Sequence, residues 1–219
     1  MSAEIAYNVR RAARAKRVRV RVDAERGVEV VLPPRAPERA AAAAVAELAP
    51  WIERRLAELA GARKRLGRER GWLPYLDRRL ALVVEPERSR VHREGDALLV
   101  PAGAAARPAI ERWYRRAARS ELTRRLDAAT AQVGTSYGRL AVRNQRTRWA
   151  SCASGGAMSF NWRLLLAPER VLDYVVWHEV CHLEVADHSP RFWALLEARC
   201  PGWREPAAWL RENGSALLL

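Results

Sequence analysis

His178 and His182 stand four residues apart in the run Val176-Trp177-His178-Glu179-Val180-Cys181-His182-Leu183. On a helix this spacing sends both imidazoles off one face, with Cβ atoms roughly 5–6 Å apart. That is the geometry of two ligands on one metal ion. Zinc accepts imidazole nitrogen, and a catalytic zinc site keeps three protein ligands and leaves a fourth position to water. Glu179, next to the first ligand, would lie beside that water. A water so held has its pKa lowered towards about 7, and a neighbouring carboxylate can take its proton for attack on a carbonyl or phosphoryl centre. The pattern His-Glu-x-x-His is the one zinc hydrolases use.

The third ligand is expected at His188. Ser189-Pro190 reads as an N-cap and the first residue of a new helix, so His188 falls in the corner between two helices and can turn back onto the ion. The chain has four histidines, and three fall in this stretch. His92 sits in a polar hairpin far upstream and reads as an ordinary surface residue. Glu184 and Asp187 are the competing third ligands; Glu184 would still be on the helix, and Asp187 serves as easily as a turn residue.

These side chains need a scaffold, and the sequence supplies its parts. Pro168 starts the motif helix, whose Val171, Leu172, Val175 and Val176 give it an apolar body. Before it, 147–152 and 158–164 form a hairpin around Ser154-Gly155-Gly156, and Arg139–Arg143 alternates as another strand. Met158, Phe160, Trp162 and Leu164 share one face of the 158–164 strand; Ser159, Asn161 and Arg163 share the other. Ile110, Trp113, Ala117, Leu122, Leu126, Ala129 and Val133 mark a long helix that follows Pro108 and ends at Gly134.

Further upstream, Val18–Val22 alternates with an arginine face and returns, through a turn at 23–27, as Val28–Leu32. The arginine face is a solvated sheet surface on the plainer reading and an anion site on the other. Helical pattern runs from Glu38 to Leu48 and on to about Leu66, split at Pro50, and an arginine-rich connector occupies 61–71. Short strands follow at 79–84 and 97–100. The expected organisation is a mostly antiparallel β region with a helical insertion over 1–105, then a catalytic region over 106–219, divided in the small-residue stretch 101–108.

A chain of 219 residues, 49% of them hydrophobic, buries a real core, which excludes disorder. No run of about 18 apolar residues occurs and the first residues are not a signal peptide, so the expectation is a cytoplasmic protein without a membrane partner. Cys152, Cys181 and Cys200 have no metal-type spacing and fit a reducing compartment; Cys181 reads as a buried thiol on the far side of the motif helix. The net charge of +14 favours anionic partners in general. Since only Lys16 and Lys64 among the 39 basic residues are lysine, this charge reflects a compositional bias as much as a binding site.

Taken together, Arg148-Trp149-Ala150-Ser151-Cys152, Ser159-Phe160-Asn161-Trp162-Arg163-Leu164, Val171–Val176, His178–His182 and His188-Ser189-Pro190-Arg191-Phe192-Trp193 resemble the YgjP-like (DUF45) metallopeptidase domain, a bacterial family related to the SprT and WLM zinc proteases. The likeness extends to Leu73-Pro74-Tyr75-Leu76. It implies an α+β, zincin-like fold, zinc on His178, His182 and His188, and Glu179 as general base. Two departures stand out: Ala150 where the family usually has glycine, and Asp77 where glycine commonly follows Pro-Tyr-Leu. Asp77 tolerates positive φ. The glycine of the metzincin turn would fall at Val185, and Met158 lies upstream, which excludes that class.

The expected activity is zinc-dependent hydrolysis of peptide bonds, with the strand at 159–164 lying along the cleft and pairing with an extended peptide. Asn161 and Arg163 would then face substrate, against the plainer reading of a solvated strand face. Arg148, Arg191 and Tyr174 are the candidates for stabilising the oxyanion. The alternatives are a metal-dependent phosphohydrolase acting on nucleotides, suggested by the arginine excess, and a nucleic-acid-associated protease tethered through Arg10–Arg21.

Overall fold

The computed structural model describes residues 5–23, 27–65, 71–145, 148–217 and 219, with side chains at 62–65 left aside. The expected turn at 23–27, the connector beyond 65, the strand start at Thr147 and Leu218 in the apolar tail fall wholly or partly outside these residues. Among them, six α-helices and three small sheets form an α+β architecture. The chain divides into two compact units, Met1–Leu66 and Gly67–Leu217; this division falls well before the expected 105/106 boundary.

In the first unit, β1 (Tyr7–Arg11), β2 (Arg19–Asp23) and β3 (Gly27–Leu32) form a sheet of order β1-β3-β2, with β1 parallel and β2 antiparallel to β3. The alternation of β2 leaves Arg19 and Arg21 exposed. The central strand is the most apolar. Its Val28, Val30 and Leu32 pack with Ala41, Val45 and Ile52 of α1 (Arg39–Glu47) and α2 (Ala49–Arg65). Pro50 lies in the first turn of α2, where a missing N–H costs nothing, so the chain splits there as expected. Helix α2 continues through Gly61, where the sequence suggested a connector. β1 was hidden inside a basic run, because an edge strand needs few apolar residues.

In the second unit, β4 (Trp72–Tyr75), β5 (Arg78–Val84), β6 (His92–Glu94) and β7 (Ala97–Val100) form a sheet of order β4-β5-β7-β6. β5 and β7 are parallel and the other pairs antiparallel. Leu76, not Asp77, takes the left-handed conformation in the β4–β5 turn, at φ 55°. Its N–H donates to the Leu165 carbonyl at 2.7 Å, so a tertiary bond holds the strained position. Asp77 instead accepts from the Glu169 N–H at 3.4 Å, a carboxylate at a helix N-terminus where the dipole favours it.

Helix α3 (Ala106–Gln132) runs the length of this unit, about 40 Å at 1.5 Å per residue. Its buried row is Ile110, Tyr114, Ala118, Leu122 and Leu126, an i,i+4 row one residue on from the expected Trp113 and Ala117. Tyr114 is fully buried, and its hydroxyl donates to the Pro74 carbonyl at 2.5 Å. The third sheet comprises β8 (Leu140–Arg143), β9 (Ala150–Cys152) and β10 (Met158–Asn161) in order β8-β10-β9. A 3₁₀ turn, Trp162–Leu166, then leads to α4 (Glu169–Cys181), α5 (Pro190–Arg199) and α6 (Arg204–Asn213).

The first turns of α4 are tied to α3 by one side chain. Arg125 is 8% exposed and reaches Glu121, Glu169 and Asp173. Arg125→Met keeps most of the volume but strands three carboxylates, two of them half in solvent and able to rehydrate. The expected cost is about 3 kcal/mol, the lower end for a broken buried pair. It would be read as a lower urea midpoint with an unchanged slope; an unshifted midpoint would show that the cluster adds nothing.

Candidate metal centre

Helix α4 buries Val171, Leu172, Val175, Val176 and Val180, which leaves His178 and Glu179 in its last turn and His182 as its C-cap. The next helix starts at Pro190 with Ser189 as N-cap, and His188 sits in the corner just before it. The His178 Nε2 lies 3.2 Å from the His182 Nε2 and 3.0 Å from the His188 Nε2, and one ligand atom from each lies within 4.8 Å of the others.

The donor set fits a tetrahedral ion. Three nitrogens about 2.05 Å from a zinc would be roughly 3.3 Å apart, close to the 3.2 and 3.0 Å of the two pairs that include His178. The His182 Nδ1 lies 3.0 Å from the Val185 carbonyl; donation there leaves Nε2 as the basic nitrogen, the outer-partner arrangement typical of metal-bound imidazole. Burial first, then the charges His182 and His188 would carry, lowers His178 to about 4. Its imidazole is therefore neutral at neutral pH, the form a metal ligand requires. Glu184 pairs with Arg199 and Asp187 accepts from the Ser189 N–H at 3.3 Å, so both competing ligands are engaged elsewhere.

Glu179 is 5% exposed. Burial raises its carboxyl to about 7, against opposing pulls from the Cys152 backbone N–H and the charge of Arg148. Its Oε2 is buried with no partner. An oriented carboxylate with one oxygen held and the other open is the form a proton-transferring base requires.

The strand expectation needs correction. β10 ends at Asn161 and is the middle strand, parallel to β8 on one edge and antiparallel to β9 on the other. It has no free edge for a peptide. Asn161 is 3% exposed; its side chain donates to the Gln145 carbonyl at 2.8 Å and accepts from the Arg163 N–H at 3.1 Å, capping the 3₁₀ turn. Arg163 lies in that turn, over the Trp162 ring and bonded to Asn144. The outer strands are β8 and β9, and β9 is the one whose Cys152 N–H reaches Glu179. Since Asn161 N bonds Trp149 O and Ala153 N bonds Ala157 O, strand alternation turns the backbone groups of Ala150 and Cys152 away from β10.

Of the oxyanion candidates, Arg148 acts electrostatically on Glu179, and the Tyr174 ring lies 5.8 Å from the His178 ring. Arg191 is exposed, and no described contact brings it to the three histidines. Cys181 is fully buried, as expected; the Arg199 guanidinium approaches its sulfur at 3.9 Å.

The aromatic support was not anticipated. Phe192 is fully buried beneath all three imidazoles, with ring centroids 4.5–4.9 Å away. Trp193 stacks on His188 at 5.4 Å, and Trp203 on Trp193 at 4.7 Å. The available signal was an aromatic pair in the first turn of the helix that follows His188. His188 is the most exposed of the three, so this stack supplies its orientation. Trp203→Ala should weaken zinc binding about tenfold, as losses of ligand-orienting partners do, with Trp203→Phe recovering most of it in a chelator competition. Equal affinity in all three proteins would deny the stack this role.

The sequence matches the family model "YgjP-like, metallopeptidase domain" over residues 16–213. No curated protein matches it. Two solved structures are similar over 42% of this chain: the metallopeptidase zymogens of Pyrococcus abyssi abylysin (22% identity, TM-score 0.38, 93% of that chain) and Methanocaldococcus jannaschii jannalysin (13% identity, TM-score 0.38, 94% of that chain). Because the family model covers most of the sequence, the chain belongs to the YgjP-like metallopeptidase domain family.

Proposed function

We propose that this protein is a zinc-dependent peptidase in which His178, His182 and His188 hold the ion and Glu179 is the general base. The observation that carries the reading is three converged imidazole nitrogens, with the buried, partnerless Oε2 of Glu179 on the residue that follows the first of them. Family membership already implies a divalent metal; imidazole-only ligation with no carboxylate in the set favours zinc over magnesium or calcium. When bound, zinc supplies a Lewis acid that acidifies a water and polarises the scissile carbonyl.

The protein's own groups do the rest. Glu179 takes the water proton at Oε2 and returns it to the leaving amine, while the Cys152 N–H keeps the carboxylate oriented. The free edge of β9 offers the remaining backbone groups of Ala150 and Cys152 to an extended peptide by strand addition, the part the sequence assigned to 159–164. We assign Arg148 and Tyr174, which both interact electrostatically with Glu179, to meeting the negative charge that develops on the scissile carbonyl. We assign this machinery to 106–219, with β4 and the turn after it bracing it through Pro74 and Leu76.

The test is product release by zinc-loaded and chelated protein from a mixed peptide library and a nucleotide panel in parallel. Peptide products that need zinc are expected. Zinc-dependent nucleotide products without peptide cleavage would replace this reading with a phosphohydrolase. No described helix is long and apolar enough to cross a membrane.

A further inference from the structure

A second concave surface lies in the 67–217 unit, between the β5–β6 connection and the first half of α3. It is an open groove of about 660 Å³ lined by Arg88, Arg90, His92, Arg112 and Arg116 together with Ser89 and Val91. Arg112 and Arg116 are one helical turn apart and both exposed, as are Arg90 and His92. Arg88 pairs with Glu85 at 2.6 Å. Arg90, Arg112 and Arg116 have no carboxylate partner among the described residues. The acid beside them on α3, Glu111, is taken by Arg115 at 2.7 Å. A compositional excess of arginine scatters charge along a chain; it does not explain four guanidinium groups lining one concavity, only one of which, Arg88, is paired with a carboxylate among the described residues.

We propose that this groove is an exosite for an acidic segment of the polypeptide substrate, an inference that rests on the peptidase reading. Guanidinium groups match carboxylates in planar, two-point geometry. The groove has no Phe, Tyr or Trp; the His92 imidazole is its one ring, which gives no platform for successive bases of a single strand. A compact pocket also differs from the extended basic stripe that tracks a duplex backbone. Both points favour acidic peptide over nucleic acid.

The experiment is fluorescence anisotropy of labelled hexaglutamate and hexaserine on the full chain at low and physiological ionic strength. Arg112→Glu/Arg116→Glu is the test variant, and Arg112→Gln/Arg116→Gln is its milder form should reversal disturb folding. Arg39→Glu/Arg54→Glu, exposed positions in the other unit, is the charge-matched control. Hexaglutamate binding is expected to weaken with salt, to fall at least tenfold in the groove variants and to stay near wild type in the control. Hexaserine should not bind. For cleavable peptides, the groove variants should raise KM when a hexaglutamate tail is present and leave the untailed peptide unchanged.

Absence of hexaglutamate binding at low salt, or equal loss in the control, would overturn the site. So would tighter binding of a single-stranded oligonucleotide of equal charge through the same arginines. Hexaglutamate binding that persists without any peptide turnover would instead sink the peptidase reading and the exosite role, while leaving an acidic-peptide site in place.

Discussion

Glu179→Gln is expected to lower kcat for peptide cleavage by about 10³-fold, within the range by which a positioned general base accelerates proton transfer, while leaving zinc content and KM near wild type. The amide has the carboxylate's shape, so the packing that leaves Glu179 5% exposed is retained. What it lacks is a basic oxygen at the position of the partnerless Oε2. Glu179→Asp would keep the charge but withdraw it by one methylene from the Cys152 N–H that orients it, and should recover only part of the rate. Metal analysis beside the kinetics separates the two roles: equal zinc with lost turnover marks a base, and lost zinc would make Glu179 a ligand or a structural residue. Undiminished cleavage by Glu179→Gln would remove the proposed mechanism.

His178→Ala should abolish both stoichiometric zinc and turnover. Loss of an outer partner already costs 10–100-fold in affinity, and loss of a ligand should cost more. His178 is the shared neighbour, within 3.2 Å of both other imidazole nitrogens. Its removal leaves two ligands on a short helix end and a corner. His92→Ala, at an exposed position in β6, should retain full zinc. A bound ion stabilises only the folded state, so zinc should raise the melting temperature of the wild type and of His92→Ala, and not that of His178→Ala.

The metal-free protein adds a pH signature. His178 is held near 4 in the folded chain against about 6.5 unfolded. The unfolded chain therefore binds the extra proton, and this contribution to stability is lost as pH falls from about 6.5 towards 4. Glu179 has the opposite sign. Its folded value of about 7 places its contribution below about 4.5, and that contribution is lost as pH rises through 7. Comparing chelated wild type with chelated His178→Ala isolates the first effect: the wild type should lose more stability on acidification from pH 6.5 to 4. Parallel curves would mean that His178 is not held neutral by the fold.

Local rules were enough to place the three clustered histidines on their elements. The i,i+4 spacing of His178 and His182, the apolar body of α4 and the Ser189-Pro190 helix start are read from neighbouring residues, because helix hydrogen bonds and caps join residues three or four apart. The same holds for the split at Pro50 and the stop at Gly134, whose φ is 68°. Tertiary structure decided what depends on remote partners. That the 158–161 strand has no free edge could not be read from its alternation, since it turns on β8 and β9 pairing with β10 from either side. The left-handed residue of the β4–β5 turn is Leu76 because a carbonyl in the 3₁₀ turn before α4 accepts its N–H. Tyr114 rather than Trp113 enters the core because a backbone oxygen in β4 satisfies its hydroxyl. Phe192, Trp193 and Trp203 come under the histidines only when α5 and α6 fold back beside α4. Side-chain pattern records which face is apolar; the identity of the group packed against it is a property of the folded chain.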